Sequence, residues 1–405
     1  MNARTSRVSH RAAKVVGIVS GSIATAAGVL LVVVLGAGGI FAPADYLEPW
    51  AEDYAEKLDD PRMRLVAHAI LAPSSHNEQP WTVTLDEADE NVMYVYADPS
   101  RLTPEVDPLA RQTMISQGTF LEYLRVAGAK VGTGVSIELF PEGEYDEGDL
   151  SESMSRLPVA KVALTSGTAT ADVDYASMFR SDTNRSPYAA TEVTVAQADE
   201  LAGLATSGSS VALYREPDDV AAIGDATVRG SIIESQNSAV AAESADVFRS
   251  NEYSKNEARS GFAVEGQGTT GFMKYLLQGL ATLLPATNSP AVSAQRDVAL
   301  ATDGAAHTPA YAGVDTAGNS RTEQVDAGML YAKLSLRARS LGLVVQPVSQ
   351  VLEEYSSMEK ERAAIHEAYA PGGSTIQMLV RVGTATVEYP PTMRRDADDF
   401  VAGQE

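Results

Sequence analysis

A run of nine residues early in the main body of the chain carries side chains that could bind a planar polar ligand. Residues Pro73 to Trp81, with the sequence PSSHNEQPW, are rich in hydroxyl and amide groups. They lie between a predicted helix, Arg62 to Leu71, and an alternating segment, Trp81 to Leu85, that predicts a strand. Hydroxyl and amide groups at such a junction can bond a ligand, or they can bond an ordered loop to itself. The residues alone leave both interpretations open.

A second run, Arg180 to Tyr188, has the residue types that a phosphate site needs. Its sequence is RSDTNRSPY, and a helix is predicted soon after it, from Val195 to Ala205. Guanidinium forks match phosphate oxygens, and the free amides of a helix terminus add further donors. The alternative is a capping loop whose arginines pair with acidic neighbours.

The composition argues against several other kinds of site. The chain has no cysteine, which excludes disulfides, thiolate nucleophiles and cysteine-based metal centres. Its five histidines are scattered without metal-ligand spacing, so we expect no metal site, and we expect His68 to have a structural role. No residue stands out as a catalytic acid or nucleophile, so the catalytic set is unknown. The net charge of −23 argues against nucleic acid as a partner, because phosphate backbones bind basic surfaces.

Residues 72–81 resemble the APSSHNxQPW signature of the nitroreductase-like flavoproteins. The match is to the branch of long chains related to the mycobacterial Acg proteins. This resemblance implies that the loop runs along the edge of a bound FMN. It also implies that Ser74, Ser75, Asn77 and Gln79 contact the isoalloxazine or ribityl oxygens.

The arginine run resembles the RxxTNRxPY element of the same branch. The resemblance implies that Arg185 and Arg180, with Asn184 between them, contribute to holding the FMN phosphate. The family often places an arginine directly after the position of Arg180, whereas this chain has Ser181 and then Asp182. That departure leaves the number of phosphate donors open.

Two stretches near the end of the chain also resemble this branch. Residues Gln377 to Gly383 resemble its last core strand, and Pro391 to Arg395 its terminal basic pair. The resemblance implies that Arg394 and Arg395 complete the phosphate clamp, although they could equally be a solvated pair.

The order of the motifs bears on the fold. The hydroxyl–amide loop precedes the arginine run, which is the reverse of a single-domain nitroreductase. In a chain of 405 residues, this resemblance implies two tandem nitroreductase-like halves, residues 61–170 and 171–401, that form a pseudo-dimer with FMN at their junction. The expected fold class is α+β, with an antiparallel sheet in each half and flanking helices.

The N-terminus predicts a membrane anchor. Residues 1–14 carry four basic side chains, and residues 15–42 form an apolar run long enough to span a bilayer. The run exceeds the apolar region of a cleaved signal peptide, which favours an uncleaved single-pass helix. Basic residues before it and acidic ones after it predict a cytoplasmic N-terminus and an extracytoplasmic main domain at the cell membrane. Residues 43–60 would be a linker.

Two functions are compatible with the resemblance. The first is an FMN-dependent oxidoreductase that passes hydride from NAD(P)H or another donor to a nitro or quinone acceptor. The second is a catalytically silent protein that sequesters flavin, with the polar, glycine-rich residues 250–271 as a lid. An outward-facing domain would lack cytoplasmic NAD(P)H, which favours the second function or a different donor. A cell-surface binding module without cofactor is the third alternative, and two separate motif matches argue against it.

Overall fold

Two antiparallel sheets form the framework of the computed structural model, which describes residues 25–170, 174–181 and 183–402. The first sheet has the strand order β1-β2-β4-β3, and the second has the order β5-β6-β8-β7. The strands are β1 (Trp81–Leu85), β2 (Val92–Ala97), β3 (Thr133–Leu139), β4 (Ala160–Ser166), β5 (Ser209–Tyr214), β6 (Ala310–Thr316), β7 (Val344–Pro347) and β8 (Thr375–Gly383). The predicted α+β class with antiparallel sheets is confirmed.

Helices flank both sheets and supply most of the walls of the site described below. They are α1 (Pro61–Ala69), α2 (Arg111–Val131), α3 (Leu150–Arg156), α4 (Val195–Ala202), α5 (Pro217–Ser235), α6 (Ser238–Asp246), α7 (Glu252–Ala258), α8 (Gly271–Leu283), α9 (Pro290–Ala306), α10 (Arg321–Ser340) and α11 (Glu359–Tyr369). Residues 25–37 are also helical.

Local sequence signals explain where the elements around the first motif begin and end. Asp60 caps α1 by accepting a hydrogen bond from the backbone N–H of Arg62, and Pro61 occupies the first helical position. Both features are typical of a helix N-terminus. In β1, Trp81 and Val83 point into the core, as expected for a strand with alternating burial.

The long helices α2 and α10 cross at two glycines. A Cβ atom at Gly118 would overlap the carbonyl oxygen of Val325, and one at Gly328 would overlap the carbonyl oxygen of Ile115. The contact is reciprocal, because each glycine faces the residue three positions before the other. Helix packing therefore accounts for Gly118 without any ligand.

The crossing also joins the two hydrophobic cores. Val325, Ala332 and Leu336 of α10 belong to the core around the first sheet, whereas Ile115 of α2 belongs to the core around the second. The two sheets are thus connected through a shared pair of helices.

The N-terminal region only partly overlaps the described residues. Within those residues, no helix is long and apolar enough to cross a membrane. Residues 15–24 of the predicted anchor lie outside them. The described part of the chain therefore does not support the anchor, and the cellular location stays a prediction.

The segment predicted as a linker is folded against the rest of the protein. It contains two short 3-10 helices, Asp45–Trp50 and Tyr54–Lys57, with Tyr46 buried between them and the body. The indole N–H of Trp50 donates a 2.7 Å hydrogen bond to the carbonyl of Thr392. Buried aromatic rings thus fix this segment in place.

Candidate functional site

A cavity of about 350 Å³ lies where the two motif runs meet. Its walls are residues 73–77, parts of α2, α5, α6 and α9, residues 261–267, residues 346–353 and part of β8. Its volume falls within the range of about 300–1,000 Å³ that is common for small-molecule sites.

The signature loop, Pro73 to Trp81, enters the cavity wall in a strained conformation. His76, Asn77 and Gln79 have positive φ angles of 49°, 56° and 52°. Such angles are uncommon outside glycine and persist only where surrounding contacts enforce them. The backbone N–H of Gln79 donates a 3.0 Å bond to Ser74 Oγ, and Thr119 Oγ1 donates a 2.6 Å bond to the carbonyl of Pro73. The loop is therefore held rigid at the cavity.

Ser74, Ser75 and Asn77 of the predicted set line this cavity. The Ser75 hydroxyl donates a 3.2 Å bond to Gln112 Oε1, and its backbone N–H donates a 3.1 Å bond to Ser116 Oγ. Gln112 and Ser116 lie on α2, so this long helix supports the loop from behind.

His76 adds a polar atom that the motif did not assign. Its Nδ1 has no hydrogen-bond partner among the described residues. Burial and, to a smaller degree, the nearby Arg185 guanidinium lower the pKa of His76 to about 4. The ring is therefore neutral at neutral pH and can bond a ligand from this position.

The arginine run, Arg180 to Tyr188, brings one of its two arginines to the cavity. Arg185 lines the wall and donates a 3.0 Å bond from Nη1 to the carbonyl of Gly266. Arg180 is exposed and does not line the cavity. The amides of α4 are also unavailable, because Thr194 and Gln197 form a capping box at its start. The expected contribution of that helix terminus is therefore absent from the described cavity.

Gln79 and Arg394, both predicted to contact the cofactor, are fully buried and form hydrogen bonds within the protein. Gln79 Nε2 donates a 2.8 Å bond to the carbonyl of Arg259. Arg394 Nη2 donates a 2.9 Å bond to the carbonyl of Leu71, and its guanidinium lies 4.7 Å from the Trp50 ring. Neither side chain lines the cavity.

Asn184 and Arg395 are likewise bonded within the fold. Asn184 Nδ2 donates a 2.8 Å bond to the carbonyl of Val387. Arg395 lies over the Phe400 ring at 4.2 Å and donates a 2.7 Å bond to the carbonyl of Asp399. These contacts stabilise the chain around the site, and a cofactor role for these residues stays a prediction.

Sequence reasoning missed three carboxyl groups on the cavity wall, Glu234 on α5, Asp297 on α9 and Glu353 after β7. Burial and, to a smaller degree, the charge of Asp297 raise the pKa of Glu234 to about 8. Burial also raises the pKa values of Asp297 and Glu353. Glu353 Oε2 has no hydrogen-bond partner in the described part of the chain. Glu234 is therefore protonated at neutral pH.

A local signal for this wall existed in the sequence. Pro217 and Pro290 each stand at the start of a helix, where proline is favoured. They mark α5 and α9, but nothing in the sequence indicated that these helices would face the motif runs. Within the described residues, no group of three or more His, Asp or Glu side chains is arranged to hold a metal ion.

Arg381 on β8 is a further residue of the wall that sequence reasoning missed. Its Nε donates a 2.6 Å bond to Thr308 Oγ1, and its guanidinium lies 4.1 Å from the Tyr188 ring. These contacts connect the last strand to the end of the arginine run.

The chain is similar in sequence to known mycobacterial proteins, although no family model matches it. The "Putative NAD(P)H nitroreductase acg" of Mycobacterium tuberculosis is 34% identical over 73 residues, which cover 18% of this chain and 21% of that protein. The alignment thus spans about a fifth of that relative's length. A second putative NAD(P)H nitroreductase of the same organism is 24% identical over 364 residues, covering 83% of this chain and 90% of the relative.

A solved structure was also matched. It is the crystal structure of a putative nitroreductase from Anabaena variabilis. The alignment covers 78% of this chain and 82% of the Anabaena chain, with a TM-score of 0.40 and 10% sequence identity.

Proposed function

We propose that this nitroreductase-like chain, a relative of the mycobacterial Acg proteins, binds FMN in the cavity and acts as an oxidoreductase. The relatives are named NAD(P)H nitroreductases, so we take NAD(P)H or another reduced donor as the hydride source. A nitro or quinone compound would be the acceptor. One observation carries the proposal: the signature loop and the arginine run, far apart in sequence, line the same cavity.

The residues of the cavity fit FMN in size and chemistry. Ser74 and Ser75 supply hydroxyls for the ring or ribityl oxygens, and Arg185 supplies a guanidinium for the phosphate. A protonated Glu234 does not repel a phosphate, because its pKa is raised to about 8. Bound FMN would supply the hydride-transfer chemistry.

Asn77 would act differently from the neighbouring serines. Its Nδ2 donates 3.0 Å bonds to the carbonyls of Gly261 and Met393, and its Oδ1 accepts a 2.8 Å bond from Arg394. Its side chain is therefore fully used within the protein. We assign Asn77 to shaping the wall rather than to recognising a ligand atom.

We also propose that the cavity lies at the junction of two nitroreductase-like halves. Both sheets have the same strand order, and each has a long helix between its second and third strands. The reciprocal contact of Gly118 and Gly328 resembles an isologous dimer interface, in which the same patch is used twice. These features support a dimer built into one chain.

A second candidate function is storage of flavin without turnover. It is favoured by the segment of residues 250–271, which covers one side of the cavity. The backbone N–H of Gly261 donates a 3.1 Å bond to the carbonyl of Asn77, and Arg185 bonds the carbonyl of Gly266. Lys255 is fully buried and pairs with Glu265 on the same segment. A covering segment that is bonded to both the signature loop and the arginine run would slow the exchange of substrates.

The visible spectrum of the purified full-length chain tests both functions. After incubation with FMN and removal of the excess, we expect a flavin absorbance band. Addition of NADPH under argon should bleach the band, and a nitroaromatic or quinone should restore it. A band that neither NADPH nor dithionite bleaches would support storage. No retained flavin would overturn the proposal.

A further inference from the structure

A continuous apolar surface lies on the side of the molecule formed by α8 and the helical residues 25–37. Val29, Leu30 and Val32 are exposed by 59%, 63% and 63%. On α8 and just after it, the exposed apolar side chains are Phe272, Met273, Leu277, Leu283 and Leu284. We call these two sets of residues the apolar face.

The two parts of the apolar face are joined by close backbone packing. A Cβ atom at Gly279 would overlap the carbonyl oxygen of Val34, and one at Gly38 would overlap the carbonyl oxygen of Tyr275. Glycines at the crossing let the backbones approach as closely as in packed membrane helices. The exposed side chains of both segments therefore belong to one surface rather than to two separate patches.

The charge distribution matches this surface to an anionic bilayer. The chain has 54 acidic residues, yet none occurs before Asp45 and none between Glu265 and Asp297. The one charged residue of α8, Lys274, pairs with Glu252 at 2.8 Å. Arg4, Arg7 and the basic residues after them precede the apolar run in sequence. Apolar helices that follow basic residues in the sequence are typical of segments that bind lipid headgroups and acyl chains.

We propose that the apolar face contacts a lipid bilayer, with α8 lying in the headgroup region beside the N-terminal helical residues. A second copy of this chain fits the face less well, because each copy carries a net charge of −23 and the two would repel each other. Contact with a bilayer buries the exposed leucines, phenylalanine and methionine while the acidic bulk of the protein stays in water. The proposal does not depend on flavin binding.

Single-cysteine labelling of the full-length chain tests this proposal, because the protein has no cysteine of its own. A Met273→Cys variant would carry an environment-sensitive dye on the apolar face. A Glu367→Cys variant would carry the same dye at an exposed position on α11 as the matched control. The proteins would be reconstituted with vesicles of phosphatidylcholine and phosphatidylglycerol, with and without nitroxide-labelled lipid.

We expect a blue shift and nitroxide quenching for the dye at position 273 and neither change at position 367. A dye at position 273 that stays in water while the protein is on the vesicles would overturn the proposal. So would a blue shift without vesicles that grows with protein concentration, since that would identify a second copy as the occupant. Flavin retention, measured on the same samples, reports separately on the proposed function.

Discussion

The two arginines of the arginine run, Arg180 and Arg185, differ in their position relative to the cavity. Both arginines are exposed, but Arg185 lines the cavity beside His76, whereas Arg180 does not line it. We expect Arg185→Ala to weaken FMN binding by about 10–100-fold, since a charged hydrogen bond contributes about 1.5–3 kcal/mol. Arg180→Ala, which removes the same charge, should change affinity far less. Fluorescence titration with FMN measures both. Equal losses would mean that the phosphate lies outside this cavity.

Glu234 should make the stability of the protein depend on pH. Its pKa is near 4.5 in the unfolded chain and about 8 in the folded one, so the folded state binds the proton more tightly. Stability is therefore lost as pH rises from about 4.5 to about 8. Glu234→Gln mimics the protonated acid, so it should raise the melting temperature above about pH 8 and leave it unchanged below about pH 4.5.

A matched variant controls for the change in net charge. Glu367→Gln removes an exposed carboxyl from α11 and should not reproduce the gain seen with Glu234→Gln. Thermal melts of both variants and the parent chain across this pH range measure the difference. If Glu234→Gln is no more stable than the parent in alkaline buffer, ionisation of Glu234 is not the cause of the stability loss at high pH.

At the scale of residues, the motifs indicated which runs meet at the cavity but not which of their side chains line it. Ser74, Ser75 and Arg185 line the cavity, whereas Gln79 and Arg394 bond backbone carbonyls in the interior. An amide or guanidinium offers the same donors to a ligand and to a carbonyl. Which of the two it meets depends on chain segments distant in sequence, and the motif does not encode them.

The crossing of α2 and α10 supports the walls of the site, and its glycines can be tested directly. Gly118→Ala would place a Cβ against the carbonyl of Val325, so we expect it to destabilise the fold by about 1–3 kcal/mol. Gly224 on α5 provides the matched control, because a Cβ there would meet only ordinary contacts of 3.4 Å and 3.5 Å. Gly224→Ala should stabilise the fold by about 0.5–1 kcal/mol through helix propensity.

Urea denaturation of the two alanine variants gives both free energies of unfolding. The two substitutions should change the free energy of unfolding in opposite directions, although each adds one methyl group to a helix. A Gly118→Ala variant as stable as the parent chain would show that the helices do not approach this closely in solution.

At the scale of elements, segments with a clear pattern of apolar residues were predicted, whereas helices without such a pattern were missed. The strand Trp81 to Leu85 was predicted with its observed bounds, and the predicted strand Gln377 to Gly383 lies within the longer β8, Thr375–Gly383. Helices α5, α6 and α9 were not predicted, because their apolar residues form no clear stripe and alternate with small or acidic ones. These helices build a large part of the cavity wall, so the acidic side of the site was missed with them.

At the scale of the whole molecule, the order of the motifs indicated two halves, although no repeat is detectable in the sequence. The two sheets share a strand order, and their long helices share the crossing glycines Gly118 and Gly328, but the residues beside these glycines differ. Ser116 stands two residues before Gly118, and Asp326 stands two residues before Gly328. Topology is set by patterns of burial that many residue types satisfy, so it persists where identity does not.

That difference between Ser116 and Asp326 predicts one FMN for each chain. Ser116 Oγ receives the N–H of Ser75 in the signature loop, which leaves the serine hydroxyls of the loop on the cavity wall. At the matching place in the second half, Asp326 accepts bonds from Thr206 and from the N–H of Gly208 in the short loop before β5. A carboxylate there repels a phosphate, and the short loop, residues 203–208, carries the hydroxyls of Thr206 and Ser207 but no amide side chain. We expect flavin released by denaturation to equal the protein concentration, with sedimentation giving the mass of a single chain. Two flavins for each chain would mean that both halves bind, and one for every two chains would place the site between copies.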